Sequence, residues 1–191
     1  MAERLLLQLT STSTFYYMEF AKLTRSSDTH AVTTYSILAG GALKEQQQFT
    51  YTAAVGPNAG RQDSPHEHEV ILDPTGSFIV VPDLGADLLR VFAINKNTSM
   101  LSESSTHAVA PGSGPRHGTF LKTGNSTYLF VIAELANSVT SFKVDYMGGG
   151  LSLTQVFTSG AYGMDVKIPD GAGAAEAILS VSSLLYRHLV K

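Results

Sequence analysis

The chain has no cysteine, which excludes disulfides, thiolate nucleophiles and thiolate-bound metals and is compatible with a reducing compartment. Charge is scarce: 15% of the 191 residues are Asp, Glu, Lys or Arg, with 13 basic against 16 acidic side chains and a formal net charge of −3. A chain without a basic stripe lacks the surface that phosphate backbones require, so nucleic acid is not an expected partner. Long apolar runs are lacking too. Met1 to Thr10 holds one basic residue and a short apolar stretch, too little for a secretory leader and far too little for a membrane span, so the expectation is a cytoplasmic protein with no membrane partner. There is no Gly-x-Ser-x-Gly elbow, no Gly-x-x-x-x-Gly-Lys-Ser/Thr phosphate loop and no His-Glu-x-x-His pair, and His66-Glu67-His68-Glu69 is not the last of these. Covalent catalysis is therefore not expected. Helical periodicity is nearly absent.

What is present is a repeat. Pro65-His66-Glu67-His68 opens one unit and Pro111-Gly-Ser-Gly-Pro-Arg116-His117 opens the next. After each opening come apolar, β-branched and aromatic runs of strand length, Phe78 to Val81 and Leu88 to Ile94 in the first unit, Tyr128 to Val131 and Ser138 to Val144 in the second. Phe78 maps to Tyr128, Asp83 to Glu134 and Phe92 to Phe142, an offset of about 50 residues of the kind that radially repeated sheets produce. Asp73-Pro74-Thr75-Gly76 is a turn signal, because Pro presets the second turn position and Gly accepts positive φ near its end. Asn95 to Ser99 and Met147 to Gly150 punctuate the later exits, and Leu101 and Leu151 start fourth strands.

Strands of this length and spacing, separated by Gly, Pro, Asn and Asp turns, predict β-propeller blades. The clear units run from about residue 66 to 115 and from 116 to 165. Residues 12 to 50 read as a partial blade, with strands at Ser13 to Met18 and Ala31 to Ile37, and Ala174 to Ser180 reads as the start of another. The expectation is an N-terminal tail over residues 1–11 and a single domain over 12–191, and 43% hydrophobic residues suit such a core.

With His68, the Gly-Ser-Gly-Pro-Arg116-His117 run and Glu134-Leu-Ala-Asn137-Ser-Val139 in place, the chain resembles the lactonase family of seven-bladed propellers, whose best-known members are 6-phosphogluconolactonases. The similarity extends from about Val32 to Glu176 and is strongest to the fungal branch, where Arg61-Gln62 and Pro82-Asp83-Leu84-Gly85-Ala86-Asp87 also fit. The fungal carboxy-cis,cis-muconate cyclases are distant relatives. A seven-bladed member needs roughly twice this length, so the resemblance implies an all-β, partial β-propeller of about three to four blades, truncated at both ends. The implied activity is hydrolysis of a sugar-type lactone by general-base-activated water, with no cofactor and a small anionic lactone or carboxylate as the partner molecule. Two other readings stand beside it, a cycloisomerase of the muconate cyclase type and an inactive truncated propeller that serves as a binding module. Two copies could close a ring as a homodimer.

Matching positions of successive blades meet near a propeller's central channel, which singles out His68, Arg116, His117 and Glu134. Arg116 is the anion clamp in the reading that the resemblance implies, a rigid fork for a carboxylate, phosphate or lactone oxyanion; its structural alternative is an ion pair with Asp83 or Glu134. His68 and Glu134 are the candidate bases, with His68 preferred as base and Glu134 as the residue that orients its neighbours; the alternatives are a histidine satisfied by backbone and a charge partner of Arg116. His117, Asp83 and Asn137 are the candidate substrate-binding residues, although Asp83, Asp87 and Asn137 also fit local capping of tight loops. His66 and His68 sit two apart, a spacing that puts both on one strand face, so together with His117 and a carboxylate they also fit a metal site, but no metal is the expectation and His66 reads as a lip residue.

Overall fold

The structure of the chain, a computed structural model, describes residues 6–8, 14–19, 30–52, 56–163, 166–180 and 185–190. Ser13, expected to open a strand, lies outside these residues, as do residues 1–5 and 9–11 of the expected tail. All regular structure among the described residues is β. The first sheet contains β1 (Leu6–Gln8), β2 (Thr14–Glu19), β3 (His30–Ile37) and β4 (Leu43–Tyr51); the second contains β5 (Ile71–Leu72), β6 (Phe78–Asp83), β7 (Leu88–Ile94) and β8 (Leu101–Ala108); the third contains β9 (Pro115–Thr123), β10 (Ser126–Ala133), β11 (Ser138–Met147) and β12 (Gly150–Gly160). Each is an antiparallel meander in which every strand pairs with its sequence neighbour. A last pair, β13 (Gly173–Leu179) and β14 (Leu185–Val190), follows. Leu6–Gln8, inside the stretch expected to be a tail, pairs with β2.

These are the partial propeller's blades, and the period-two pattern of β6 explains how they stack. Phe78 and Val80 join Leu129, Val131 and Phe142 of the third sheet in one buried cluster, whereas Ile79 and Val81 join Val32 and Phe92 in another, toward the first sheet. A strand covered on both faces is apolar at every position rather than at alternate ones. A third cluster, Ile132 with Ala161, Ala174 and Ala177, joins the third sheet to β13, where small residues permit close approach. The outer strand β8 is polar and mostly exposed, which suits a blade edge facing water.

The Asp73 turn forms as its chemistry predicts. Asp73 is buried; its Oδ1 accepts the Ser77 and Phe78 amides at 2.8 and 2.7 Å and its Oδ2 accepts the Thr75 amide at 2.9 Å, while Gly76 takes a φ of 64°. Tyr146 of β11 donates to the same carboxylate at 2.9 Å, tying the turn to the next blade.

One connection matters for the site. After β4, residues 56–70 run across the second sheet instead of entering it directly. The Gly56 amide donates to Gly85 O at 2.8 Å, and the fully buried Gln62 donates through Nε2 to Leu84 O at 2.8 Å while its Oε1 accepts the Asn58 amide. Gly85 is required there, because a Cβ would sit 1.7 Å from Ser64 O. His68 then bonds through its amide to Pro82 O at 3.0 Å, so the histidine precedes β5 on an extended segment held against β6.

Candidate functional site

The extended segment 61–69, the start of β9, the turn after β10 and β13 meet through one chain of polar contacts. Glu134, the first residue after β10, lies between two arginines: its Oε1 accepts from Arg61 Nη2, and its Oε2 forms an ion pair with Arg116, 2.9 Å from Nε. Arg116 Nη1 donates to Ala175 O at 2.5 Å. Beside it, His117 Nδ1 donates to Glu176 Oε2 at 2.8 Å, and its ring stands edge-on to that of His68 with centroids 6.2 Å apart. Glu69 closes the group from the second sheet, its Oε2 accepting the Gly118 amide at 2.7 Å. Gly118 leaves no room for a side chain, since a Cβ would lie 2.5 Å from Phe130 O.

His68, Arg116, His117 and Glu134 are therefore neighbours, although they derive from two sheets. The ion pair between Arg116 and Glu134 is the one anticipated as a structural alternative, and it leaves both groups inside the cluster. Asp83 and Asn137 do other work. Asp83 is fully buried, and its carboxylate accepts the His66 and Ala86 amides and both Nε and Nη2 of Arg90, at 3.0 and 2.6 Å. That is loop organisation, with no lone pair directed to the Arg116 cluster in any of these contacts. Asn137 is buried, takes a φ of 49° and donates through Nδ2 to Ala172 O at 2.9 Å, holding the segment that leads into β13. His66 sits with Asp63 at 3.0 Å and edge-on to His30 at 4.6 Å, so it has a different set of neighbours from His68. A surface cavity lined by Arg90, Phe92, Glu103 and Ser105 lies along β7 and β8 and includes none of the cluster.

Electrostatics separates the titratable groups of the cluster. Burial, with the charge of Arg116 next, pushes His68 down to about 2, so its imidazole is neutral throughout the physiological range. Burial pushes Glu69 up to about 7, against the opposing pull of His117 and the Gly118 amide. Glu176 goes the other way: burial favours its neutral form, but the hydrogen bond and charge of His117 outweigh it and hold the carboxyl below its ordinary value. A carboxylate that titrates near neutrality within the electrostatic reach of an arginine is an arrangement that proton-transfer sites use.

Sequence reasoning gave no chemical role to Glu69, Glu176 or Arg61. Glu69 lies within the His66-Glu67-His68-Glu69 run, where the sequence draws attention to the histidines as base or metal ligands, and its contact with Gly118 exists only once the second and third sheets pack. Arg61 and Glu134 meet across even more chain.

Comparison with known proteins agrees with this fold. Residues 25–186 match the family model described as Lactonase, 7-bladed beta-propeller. An Arthroderma benhamiae protein described as "Probable 6-phosphogluconolactonase" is 33% identical over 171 residues, covering 87% of this chain and 41% of the relative. A Bacillus subtilis 6-phosphogluconolactonase is 29% identical over 137 residues, covering 72% of this chain and 38% of the relative. A crystal structure of a Lactobacillus plantarum protein superposes with a TM-score of 0.76 at 28% identity, covering 93% of this chain and 47% of that one. The chain thus spans less than half the length of these proteins.

Proposed function

The chain belongs to the lactonase family of seven-bladed β-propellers, and on that premise we propose that the cluster around Arg116 is a lactone-hydrolysing site that acts on a sugar-type lactone of the kind the relatives' names carry, 6-phosphogluconolactone. The observation that carries the reading is the pairing of a fixed guanidinium with a carboxyl that titrates near neutrality: Arg116 on Glu134, and Glu69 on Gly118.

Glu69 is the proton acceptor in this reading, in preference to His68 or Glu134. A histidine depressed to about 2 is too weak a base to draw a proton from water near pH 7, whereas an acceptor with a pKa close to the working pH combines availability with driving force. Glu134 is engaged by two guanidinium groups at once and acts by orienting them. In the reaction, Glu69 takes a proton from water as the water oxygen bonds to the lactone carbonyl carbon. Arg116 stabilises the oxyanion that forms, an effect worth roughly 3 to 4 kcal/mol per donor in preorganised sites. The tetrahedral intermediate collapses by breaking the ring C–O bond, and the departing oxygen recovers the proton from Glu69. His68, neutral and edge-on to His117, contributes shape without adding charge.

The test is hydrolysis of 6-phosphoglucono-1,5-lactone by the purified chain, followed by proton release, beside Arg116→Ala and with light scattering on the same sample. Turnover by the wild type and its loss in R116A are the expected results. A folded chain that leaves this lactone untouched, but converts a carboxylated muconate to its lactone, would move the assignment to the cyclase branch.

A further inference from the structure

We infer that Arg61 is the residue that recognises a phosphomonoester on the substrate, so that selectivity for phosphorylated over unphosphorylated lactones resides in the connection between the first two blades. This inference rests on the lactonase reading of the Arg116 site and adds to it a second binding position with its own chemistry.

Arg61 differs from Arg116 in its exposure. The Arg116 side chain is 12% exposed and lies within the site, whereas that of Arg61 is 52% exposed and stands at its edge. Of the Arg61 guanidinium, Nη2 is used on Glu134, and among the described residues Nε and Nη1 have no hydrogen-bond partner. A planar guanidinium with two open donors matches the paired oxygens of a phosphate. Arg61 meets Glu134 through Nη2 alone, so a phosphate can take the other two donors of its guanidinium without displacing that carboxylate.

The side chain is also presented from a fixed point. The Arg61 and Gln62 amides both donate to Asn58 O, at 3.0 and 2.7 Å, closing a tight turn. Gln62 then anchors that turn to Leu84 O from a fully buried position. Pro57, in the same connection, lies so near the Pro111 turn that a Cβ on Gly112 would be 3.2 Å from its ring. A binding group on a fixed turn loses little backbone entropy when it takes up its ligand. Because Arg61 and Arg116 hold opposite oxygens of one carboxylate, a single sugar ring can span from the carbonyl held by Arg116 to a phosphate held by Arg61.

Arg61→Gln removes the charge with little change in size, and Arg61→Lys keeps the charge without the fork. Both are compared with the wild type for kcat/KM on 6-phosphoglucono-1,5-lactone and on glucono-1,5-lactone, and for calorimetric binding of 6-phosphogluconate and gluconate. The expected result is an approximately 10- to 100-fold fall in the phosphorylated-over-unphosphorylated preference of R61Q, the scale of lost charge-assisted hydrogen bonds, carried by KM rather than kcat, with partial recovery in R61K. An unchanged preference in an active R61Q overturns the inference and leaves the lactonase reading standing. If the wild type hydrolyses neither lactone, the lactonase reading fails, and the phosphate position is then judged by binding alone: selective binding of 6-phosphogluconate that R61Q abolishes supports it, and its absence overturns it.

Discussion

Asp87 and Asn137 occupy the same left-handed backbone conformation at corresponding turns of successive blades, with φ of 53° and 49°. Each follows an inner hairpin strand, and each offers its carbonyl to a later amide, Val109 in one blade and Ala161 in the next. Asp and Asn tolerate this conformation better than other non-glycine residues. The side chains then diverge: Asp87 accepts the Gly112 amide at 2.7 Å and the Gly114 amide at 2.9 Å, which shapes the Pro111 to Pro115 loop just ahead of Arg116.

Asp87→Ala therefore places a residue that tolerates positive φ less well than Asp at this turn and strips two amides of a charged acceptor. The expected cost is about 3 to 6 kcal/mol in urea unfolding, since each of the two bonds to a charged group is worth roughly 1.5 to 3. Asp87→Asn, which keeps one acceptor oxygen and the backbone preference, is expected to lose less than half as much.

The buried pair of Asp83 and Arg90 gives a second outcome. Arg90 reaches Asp83 at 2.6 Å and Glu67 at 3.6 Å, and its guanidinium lies 3.7 Å from the centre of the Tyr51 ring of the first blade. Burial and the charge of Asp83 push Glu67 up to about 8, so Arg90 effectively has one ionised partner near neutrality. Arg90→Met leaves Asp83 buried without its cation, for an expected loss of about 3 to 5 kcal/mol. The double variant R90M/D83N is expected to recover part of that loss in chemical denaturation, because the stranded charge is gone.

Stability should also depend on pH in two opposing ways. His68 binds a proton when unfolded below its ordinary value of 6.5 but not in the folded state down to about 2, so acidification below pH 6.5 costs stability. Glu69 keeps a proton in the folded state up to about 7 that the unfolded chain releases near 4.5, so raising the pH from 4.5 toward 7 costs stability. Each slope is at most about 1.4 kcal/mol per pH unit. In thermal melts, His68→Gln is expected to lose the acid-side slope and Glu69→Gln the slope between pH 4.5 and 7; an unaltered profile in either variant would show that its group is not perturbed.

Local chemistry made the blades legible. Alternating apolar residues, the Asp73 turn and the Asn95 and Met147 exits each act within a few positions, and β6 to β8 and β10 to β12 form where those signals lie. The site was legible only in part, because repeat symmetry identifies equivalent positions but not their partners. Asp83 and Glu134 were matched as equivalents, yet they have different fates. Val81 pairs with Arg90 in one blade, and the corresponding Val131 pairs with Thr140 in the next. Asp83 thus has a buried arginine from the strand that follows it, while Glu134 lacks that partner and meets Arg116 from the preceding strand β9 and Arg61 from outside the sheet. No local pattern carries that information.

The role of Glu69 leads to the sharpest prediction for activity. If Glu69 accepts the proton from water, it must be ionised, so kcat/KM for lactone hydrolysis should rise with pH through about 7 and level off above it. Glu69→Gln retains an oxygen that can accept the Gly118 amide, which preserves the packing between the second and third sheets while removing the base. The variant is expected to lose about 10²- to 10⁴-fold in kcat, the usual range for a general base, and to lose the limb near pH 7 as well. His68→Gln provides the contrast. A group depressed to about 2 contributes no limb near neutrality, so this variant should keep the wild-type profile even if its rate falls. Should H68Q erase the limb while E69Q keeps it, the proton would pass through the histidine, and burial would be depressing His68 far less than its surroundings indicate.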